Sequence, residues 1–451
     1  MDITIEILPY EDRNTGFSAV RLHSAEAHMD CSLDVNLSQA FEKTNTIPPN
    51  ALDFLFIAAV VYAIDKHLKR QVFSEDGWTR NIAAQVPVSA PEVWTKQAQA
   101  FSECVSFLTG DLWEFSFVRL SRPLALPPRN FGRHLLSVGL IGGECVSLFS
   151  GGLDSYIGAI DWLEEHPKES LVLVGHYDGD IKGPHADQEA LFKCLTSAYR
   201  KRVQLFQMRV GANPAGAEIS LRSRSLVFVA LGLYAAECVA KSISLLIPEN
   251  GVIALNMPLT PARRGSCSTR TAHPFFISSL EEILCRVGIV HQLKNPYASN
   301  TKGEMVRNCR SPGLLKSTAQ YTVSCAKNGH TFWWENRSAS GCGRCVPCLY
   351  RRAALHAMGL DNEPYGYNIG KSTYVLESSN EGWNDLTALL DFLRQNPNPE
   401  QIGNALLANG PLPLNKIDDY ADVIERMKKE MASFIQSKGG EAVRRAAGLI
   451  K

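Results

Sequence analysis

Val146-Ser147-Leu148-Phe149-Ser150-Gly151-Gly152-Leu153-Asp154-Ser155 is a short apolar run, then two glycines, then the start of a helix. The run 146–149 suits a buried strand, and Tyr156, Ile157, Ile160 and Leu163 fall on one helical face. Two glycines let the backbone turn sharply and meet an anion with no Cβ in the way. A loop between strand and helix aims the first-turn amides, and the positive end of the helix dipole, at that anion. Ser150 and Ser155 add hydroxyl donors, and Asp154 suits an N-cap or a place near magnesium. The stretch therefore predicts a phosphate-binding loop built from Ser150, Gly151, Gly152, Leu153, Asp154 and Ser155. The plain alternative is a capped strand-to-helix turn without a ligand. A Walker A loop would end in Gly-Lys-Ser/Thr, an ending that this stretch lacks.

Outward from the loop, strand and helix patterns alternate. Residues 171–174, 203–208, 244–247 and 290–293 pattern as strands, and 187–199, 223–241, 275–287 and 302–309 as helices. Such alternation predicts a parallel sheet covered by helices. Upstream, Ile3, Ile5 and Ile7 alternate as in a strand, 53–68 and 91–108 pattern as helices, and 112–118 as a strand. Pro123, Pro127 and Pro128 then mark a boundary. Beyond residue 370 the segments 385–394 and 418–436 are amphipathic. The expected division is an N-terminal α+β accessory region (1–140), an α/β domain with the loop (141–370) and a helical C-terminal region (371–451).

Charge excludes one class of partner. Lys and Arg number 46 against 46 Asp and Glu, so no broad footprint for nucleic acid is expected. The N-terminal segment lacks the basic and apolar regions of a signal peptide. The longest apolar stretch, 54–64, is too short to span a bilayer. These features predict a cytoplasmic protein without a membrane partner.

Of the 12 cysteines, Cys31, Cys104, Cys145, Cys194, Cys238, Cys267, Cys285 and Cys309 are scattered and read as small hydrophobes. Cys342-Gly343-Arg344-Cys345-Val346-Pro347-Cys348 is different: Cys-x2-Cys-x2-Cys, with Cys325 upstream as a fourth thiolate. Four thiolates close a tetrahedral zinc shell and leave no position for water, which makes the site structural. An iron–sulfur cluster, free thiols, and His330 in place of Cys325 are the alternatives.

Ser-Gly-Gly-X-Asp-Ser is the signature of the PP-loop ATP pyrophosphatases, and the chain resembles them. Together with the cysteine cluster it resembles the QueC-like branch, the 7-cyano-7-deazaguanine synthases. Arg224-Ser225-Leu226-Val227-Phe228 resembles that family's Arg-Asn-Leu-X-Phe segment, with Ser225 replacing asparagine. Lys302-Gly303-Glu304-Met305 resembles its Lys-X-Glu-Ile/Met segment. The resemblance covers about residues 144–360. It fails in the substrate segment, where Tyr-Pro-Asp-Cys-Arg is replaced by Pro248-Glu249-Asn250-Gly251 and, further on, Ser268-Thr269-Arg270-Thr271-Ala272-His273-Pro274. That run and the extra N-terminal region look like the QueC-like proteins of bacterial anti-phage systems.

The resemblance implies a five-stranded parallel sheet of the adenine-nucleotide α-hydrolase (HUP/PP-loop) type, with ATP, Mg2+ and Zn2+ as cofactors. It puts Asp178 where such enzymes cradle adenine, with Lys182 and His185 in the same loop, and makes Arg224 a further nucleotide residue. Glu249 suits the hydrogen-bond donors of a guanine-like edge. Arg264 and Arg270 suit a carboxylate or an adenylate phosphate. His273, held extended before Pro274, suits proton transfer beside Asp154 and Arg270. For each of these the plain alternative is loop anchoring. The implied reaction is attack of 7-carboxy-7-deazaguanine on the α-phosphate, release of pyrophosphate, and displacement of AMP by an amine. In a nitrile synthase the amine is ammonia. In a defence system it can belong to a partner protein of the same operon, docked by residues 1–140. Rival expectations are a free nitrile synthase, a PP-loop tRNA thiolase and a non-catalytic assembly subunit.

Overall fold

A computed structural model describes residues 1–8, 15–74, 76–129, 131, 141–179, 183–218, 222–259, 270–326, 328–371 and 384–451, the side chains of 328–330 and 384 excepted. The chain forms two compact units. One comprises Met1–Ser150, His166–Ile247 and Thr269–Lys294, the other Gly151–Glu165, Pro248–Ser268 and Asn295–Lys451.

The first unit holds a mostly parallel sheet of ten strands: β1 (Asp2–Ile7), β2 (Val20–Ser24), β3 (Met29–Val35), β4 (Asn81–Val88), β5 (Leu112–Arg119), β6 (Cys145–Leu148), β7 (Leu171–Tyr177), β8 (Val203–Asn213), β9 (Ser244–Leu246) and β10 (Leu293–Lys294). Their order is β10-β9-β6-β7-β8-β3-β2-β1-β4-β5. The first five in that order run parallel. β6 is buried along its whole length and β7 along nearly all of it, which is why both appear as apolar runs without alternation. The chain leaves β6 to one side for β7 and β8, then crosses over so that β9 pairs with β6 from the other side. The order therefore reverses between β6 and β9, the kind of place where open α/β sheets bind ligands.

The expected boundary near residue 140 falls inside this unit, because the sheet runs across it. β3 pairs antiparallel with β8, from Val35 opposite Val210 to Ser32 opposite Asn213. The apolar pattern of β8 fades after residue 208, but the strand continues to Asn213. Those added residues are the ones β3 uses. The helix Pro49–His67 is buried from Ala51 to Asp65, as a helix apolar on all sides must be, and packs on the helix Arg224–Val239.

Two carboxylates that this packing buries are held by arginines. Asp111 accepts two bonds from Arg80, Nε at 2.9 Å and Nη2 at 2.6 Å, and two from Arg70, Nη1 at 2.8 Å and Nη2 at 2.9 Å. Asp65 completes the network by pairing with Arg80 and accepting from the Ser223 hydroxyl, just before the Arg224–Val239 helix. At the sheet edge, Ser106 and Ser102 Oγ accept from the amides of Trp113 and Phe115 at 2.9 and 3.0 Å, so a helix covers donors that β5 would otherwise expose.

The second unit is helical. The stripe Tyr420, Val423, Ile424, Met427, Met431, Phe434 and Ile435 on the helix Ile417–Lys438 packs into one core with Cys342, Cys345, Cys348 and Leu349. The C-terminal helices thus share a core with the cysteine element, and residue 371 is no boundary between compact units. Among the described residues, no helix is long and apolar enough to cross a membrane.

Candidate functional site

The loop residues follow β6, and the helix Leu153–Glu165 starts at once. Gly151 has φ +85°, a left-handed conformation that glycine adopts without strain. First-turn amides of a helix have no acceptor within it, so they face outward. Ser155 Oγ donates to the Gly152 carbonyl at 3.1 Å.

Asp154 is 6% exposed and turns to other protein groups. Its Oδ1 accepts from the Lys302 ammonium. Its Oδ2 accepts from Asn250 Nδ2 at 2.6 Å and from the Asn250 amide at 3.2 Å. A close helix approach makes this meeting feasible: a Cβ on Gly158 would lie 2.5 Å from that of Pro248. Asn250 also caps the helix Gly251–Leu255, accepting from the Ile253 amide at 3.1 Å. Lys302 is fixed by a capping box: Thr301 Oγ1 accepts from the Glu304 amide at 3.1 Å, and the Glu304 carboxylate from the Thr301 amide at 2.9 Å.

Two carboxyls in this cluster are driven apart. Burial alone would raise Asp154, but the Lys302 charge, then the bonds from Glu249 and Lys302, hold it below the usual range. Burial, then the Asp154 charge, push Glu249 well above its usual range. Both causes favour the protonated form of Glu249 beside the Asp154 carboxylate. A carboxyl in its neutral form has one donor and reduced acceptor strength. Both Asp154 oxygens are thus engaged, one by Lys302 and one by Asn250.

Asp178 and Arg224 also come together, in the first unit. Arg224 Nε donates to His176 Nδ1 at 3.1 Å, and the Tyr62 hydroxyl donates to Asp178. His185 meets Tyr177 edge to face, ring centroids 4.6 Å apart. Arg270 Nη1 donates to the Phe107 carbonyl at 2.5 Å, and its guanidinium lies 4.3 Å from the Phe107 ring centroid. His273 Nδ1 accepts from the Phe275 amide at 3.2 Å and so caps the helix Pro274–Arg286. Burial, then the Arg270 charge, lower the His273 pKa to about 3, so this imidazole is neutral at ordinary pH. Its geometry is that of a helix cap. Lys182 and Arg264 lie outside the described residues, as does the His330 side chain.

The four cysteine sulfurs converge within 4.8 Å of one another. Cys325 to Cys345 is 4.0 Å and Cys342 to Cys348 is 3.9 Å. Metal–sulfur bonds of about 2.3 Å in a tetrahedron give an edge of about 3.8 Å, so the donor set fits zinc. Amides of Cys342 and Cys345 donate to the Cys325 and Cys342 sulfurs, both at 3.3 Å, which stabilises thiolate charge. Neighbouring thiols, Cys325 first, hold the Cys342 thiol far below its ordinary range. Gly343 has φ +79°, and a Cβ there would lie 2.6 Å from that of Tyr365. The cluster can therefore hold a metal such as zinc.

Lys302, Asn250, Tyr62 and His176 are partners that the motifs alone leave unassigned. The Thr-x-x-Glu spacing at 301–304 announces the helix start that carries Lys302. No local signal marks Tyr62, which lies 116 residues from Asp178. No protein-family model matches the chain, and no curated protein matches it.

Proposed function

We propose that the protein is a QueC-like PP-loop enzyme that adenylates a 7-deazaguanine carboxylate and passes the acyl group to an amine, in an anti-phage defence system where the amine belongs to a partner protein. The observation that carries this reading is the loop 150–155, placed after β6 beside the reversal of strand order. The five parallel strands in the order β10-β9-β6-β7-β8 are compatible with a HUP-type core.

In this reading the nucleotide's β- and γ-phosphates lie on the loop amides and the Ser150 and Ser155 hydroxyls. Magnesium supplies charge neutralisation at those phosphates. Lys302, held by Asp154, adds a fixed cation for the leaving pyrophosphate. Glu249, holding a proton against Asp154, is a donor for the bound acid or its base. Arg270 is a candidate for the carboxylate. The zinc is structural, and elemental analysis should find one per chain.

Two measurements test the proposal. Pyrophosphate release from ATP should require 7-carboxy-7-deazaguanine or a close analogue. Intact-mass spectrometry of the operon's other proteins, co-expressed with this chain, should show a deazaguanine acyl gain that Asp154→Ala abolishes. Accumulation of free 7-cyano-7-deazaguanine with no protein gain would instead identify a nitrile synthase, and ATP binding without pyrophosphate release an assembly subunit.

A further inference from the structure

A carboxylate and a guanidinium select a ligand only if something fixes their directions. Asp178 follows β7, and Arg224 opens the helix Arg224–Val239. Two other residues of the same compact unit hold them.

His176 is 0% exposed and lies on β7. Its Nε2 is 2.8 Å from the Val210 carbonyl, a bond that requires the proton on Nε2 and leaves Nδ1 an acceptor. Nδ1 then accepts from Arg224 Nε at 3.1 Å. Arg224 Nη2 reaches the His176 carbonyl at 3.4 Å. Phe228 and Tyr62 flank the imidazole edge to face, with centroids at 5.4 and 5.7 Å. Burial, then the Arg224 charge, lower the imidazole pKa to about 3, as fits a neutral acceptor for a guanidinium.

Tyr62 comes from the Pro49–His67 helix, which is buried on all sides along most of its length, and is itself 2% exposed. Its hydroxyl donates to Asp178 Oδ2. Burial would raise Asp178, but the Tyr62 bond and the Arg224 charge hold it below its usual range, as an ionised acceptor.

We propose that His176 and Tyr62 are positioning residues of an adenine-binding site, aiming Arg224 as a donor and Asp178 as an acceptor, and that the helix Pro49–His67 forms a wall of that site. This rests on the reading of Asp178 and Arg224 as nucleotide residues. A fixed acceptor with a fixed donor complements the amine and ring-nitrogen acceptor of adenine, whereas the matching edge of guanine presents acceptors only. The arrangement selects ATP over GTP and over inosine triphosphate, which lacks the amine.

The test is calorimetric titration of the full chain with α,β-methylene-ATP and with inosine triphosphate. Tyr62→Phe removes one hydroxyl. His176→Phe keeps the ring and loses the acceptor, and His176→Asn keeps an acceptor where Nδ1 stands. Tyr62→Phe and His176→Phe should each weaken the ATP analogue about tenfold, the usual loss for a bond to a charged group. His176→Asn should restore most of it. Tyr62→Phe should leave inosine triphosphate binding unchanged, and should add nothing to Asp178→Asn. If Asp178→Asn and Arg224→Ala weaken the analogue while Tyr62→Phe binds it as tightly as wild type, the positioning role is wrong and the nucleotide reading stands. Equal weakening of both nucleotides by Tyr62→Phe would also overturn it. Wild-type protein that binds no ATP analogue would remove both readings.

Discussion

Two of the ionic assemblies buried among the described residues are built differently. In the Asp65–Arg70–Arg80–Asp111 network every carboxylate oxygen of Asp111 faces a guanidinium fork, and the Arg80–Asp65 pair is 0% exposed on both sides. In the Asp154–Glu249–Lys302 cluster a single ammonium replaces the fork, and the proton affinities of the two carboxyls are shifted in opposite directions. Guanidinium forks pair with carboxylates in a fixed geometry, so the first assembly is complete within the fold. A lysine is a point charge that can serve a second anion, and two carboxyls with opposed proton affinities are the mark of acid–base or electrostatic work. The contrast teaches that burial of charge is not itself a sign of function. What separates the two is whether the charges are already fully satisfied by one another.

The largest expected effect breaks the closed network. Arg80→Ala removes the guanidinium that two buried carboxylates share, leaves Arg70 alone to face both, and should cost about 3–5 kcal/mol of unfolding free energy, read from the urea midpoint. Next comes the cluster: Asp154→Ala should lower pyrophosphate release about 100- to 1,000-fold, with a smaller midpoint shift than Arg80→Ala. A midpoint shift as large as that of Arg80→Ala would erase the distinction. Arg80→Lys keeps the charge and loses the fork, so about 2 kcal/mol should be lost, again by denaturation. The smallest effect concerns pH. Glu249 is raised in the fold, so its neutral form is favoured there. That costs nothing below the ordinary glutamate value of 4.5, and stability falls as pH rises above it toward the raised value. Glu249→Gln should remove this slope: stability gained relative to wild type at pH 8, and the gap closed near pH 4. A parallel pair of stability–pH curves would show that Glu249 is ionised in the folded protein.

Much of the parallel core was legible because its strands are short buried runs and its helices carry regular apolar faces. The turn from β6 into the helix Leu153–Glu165 was legible because two glycines separate an apolar run from a helical face. The cysteine cluster was legible from spacing alone, since three of its ligands span only residues 342–348. The N-terminal boundary misled because prolines mark loops, whereas sheet continuity depends on β3 finding residues 210–213 of β8, far away in sequence. His273 shows the reverse problem. A histidine before a proline can be a proton carrier or a helix cap, and only the 3.2 Å bond from the Phe275 amide reveals the cap geometry. The shift in Glu249's proton affinity was not legible, because it depends on Asp154 and Lys302, which lie about 100 and 50 residues away in sequence.

The helix Leu153–Glu165 belongs to a compact unit whose other parts begin only at Pro248 and Asn295. A ribosome adds about 5–20 residues per second, so on the order of ten seconds separate synthesis of that helix from synthesis of most of its own unit. During that interval the growing chain carries the Tyr156, Ile157, Ile160 and Leu163 face before the second unit exists to fold around the helix. The nascent chain therefore carries this apolar face uncovered by its own unit until the later segments have been made.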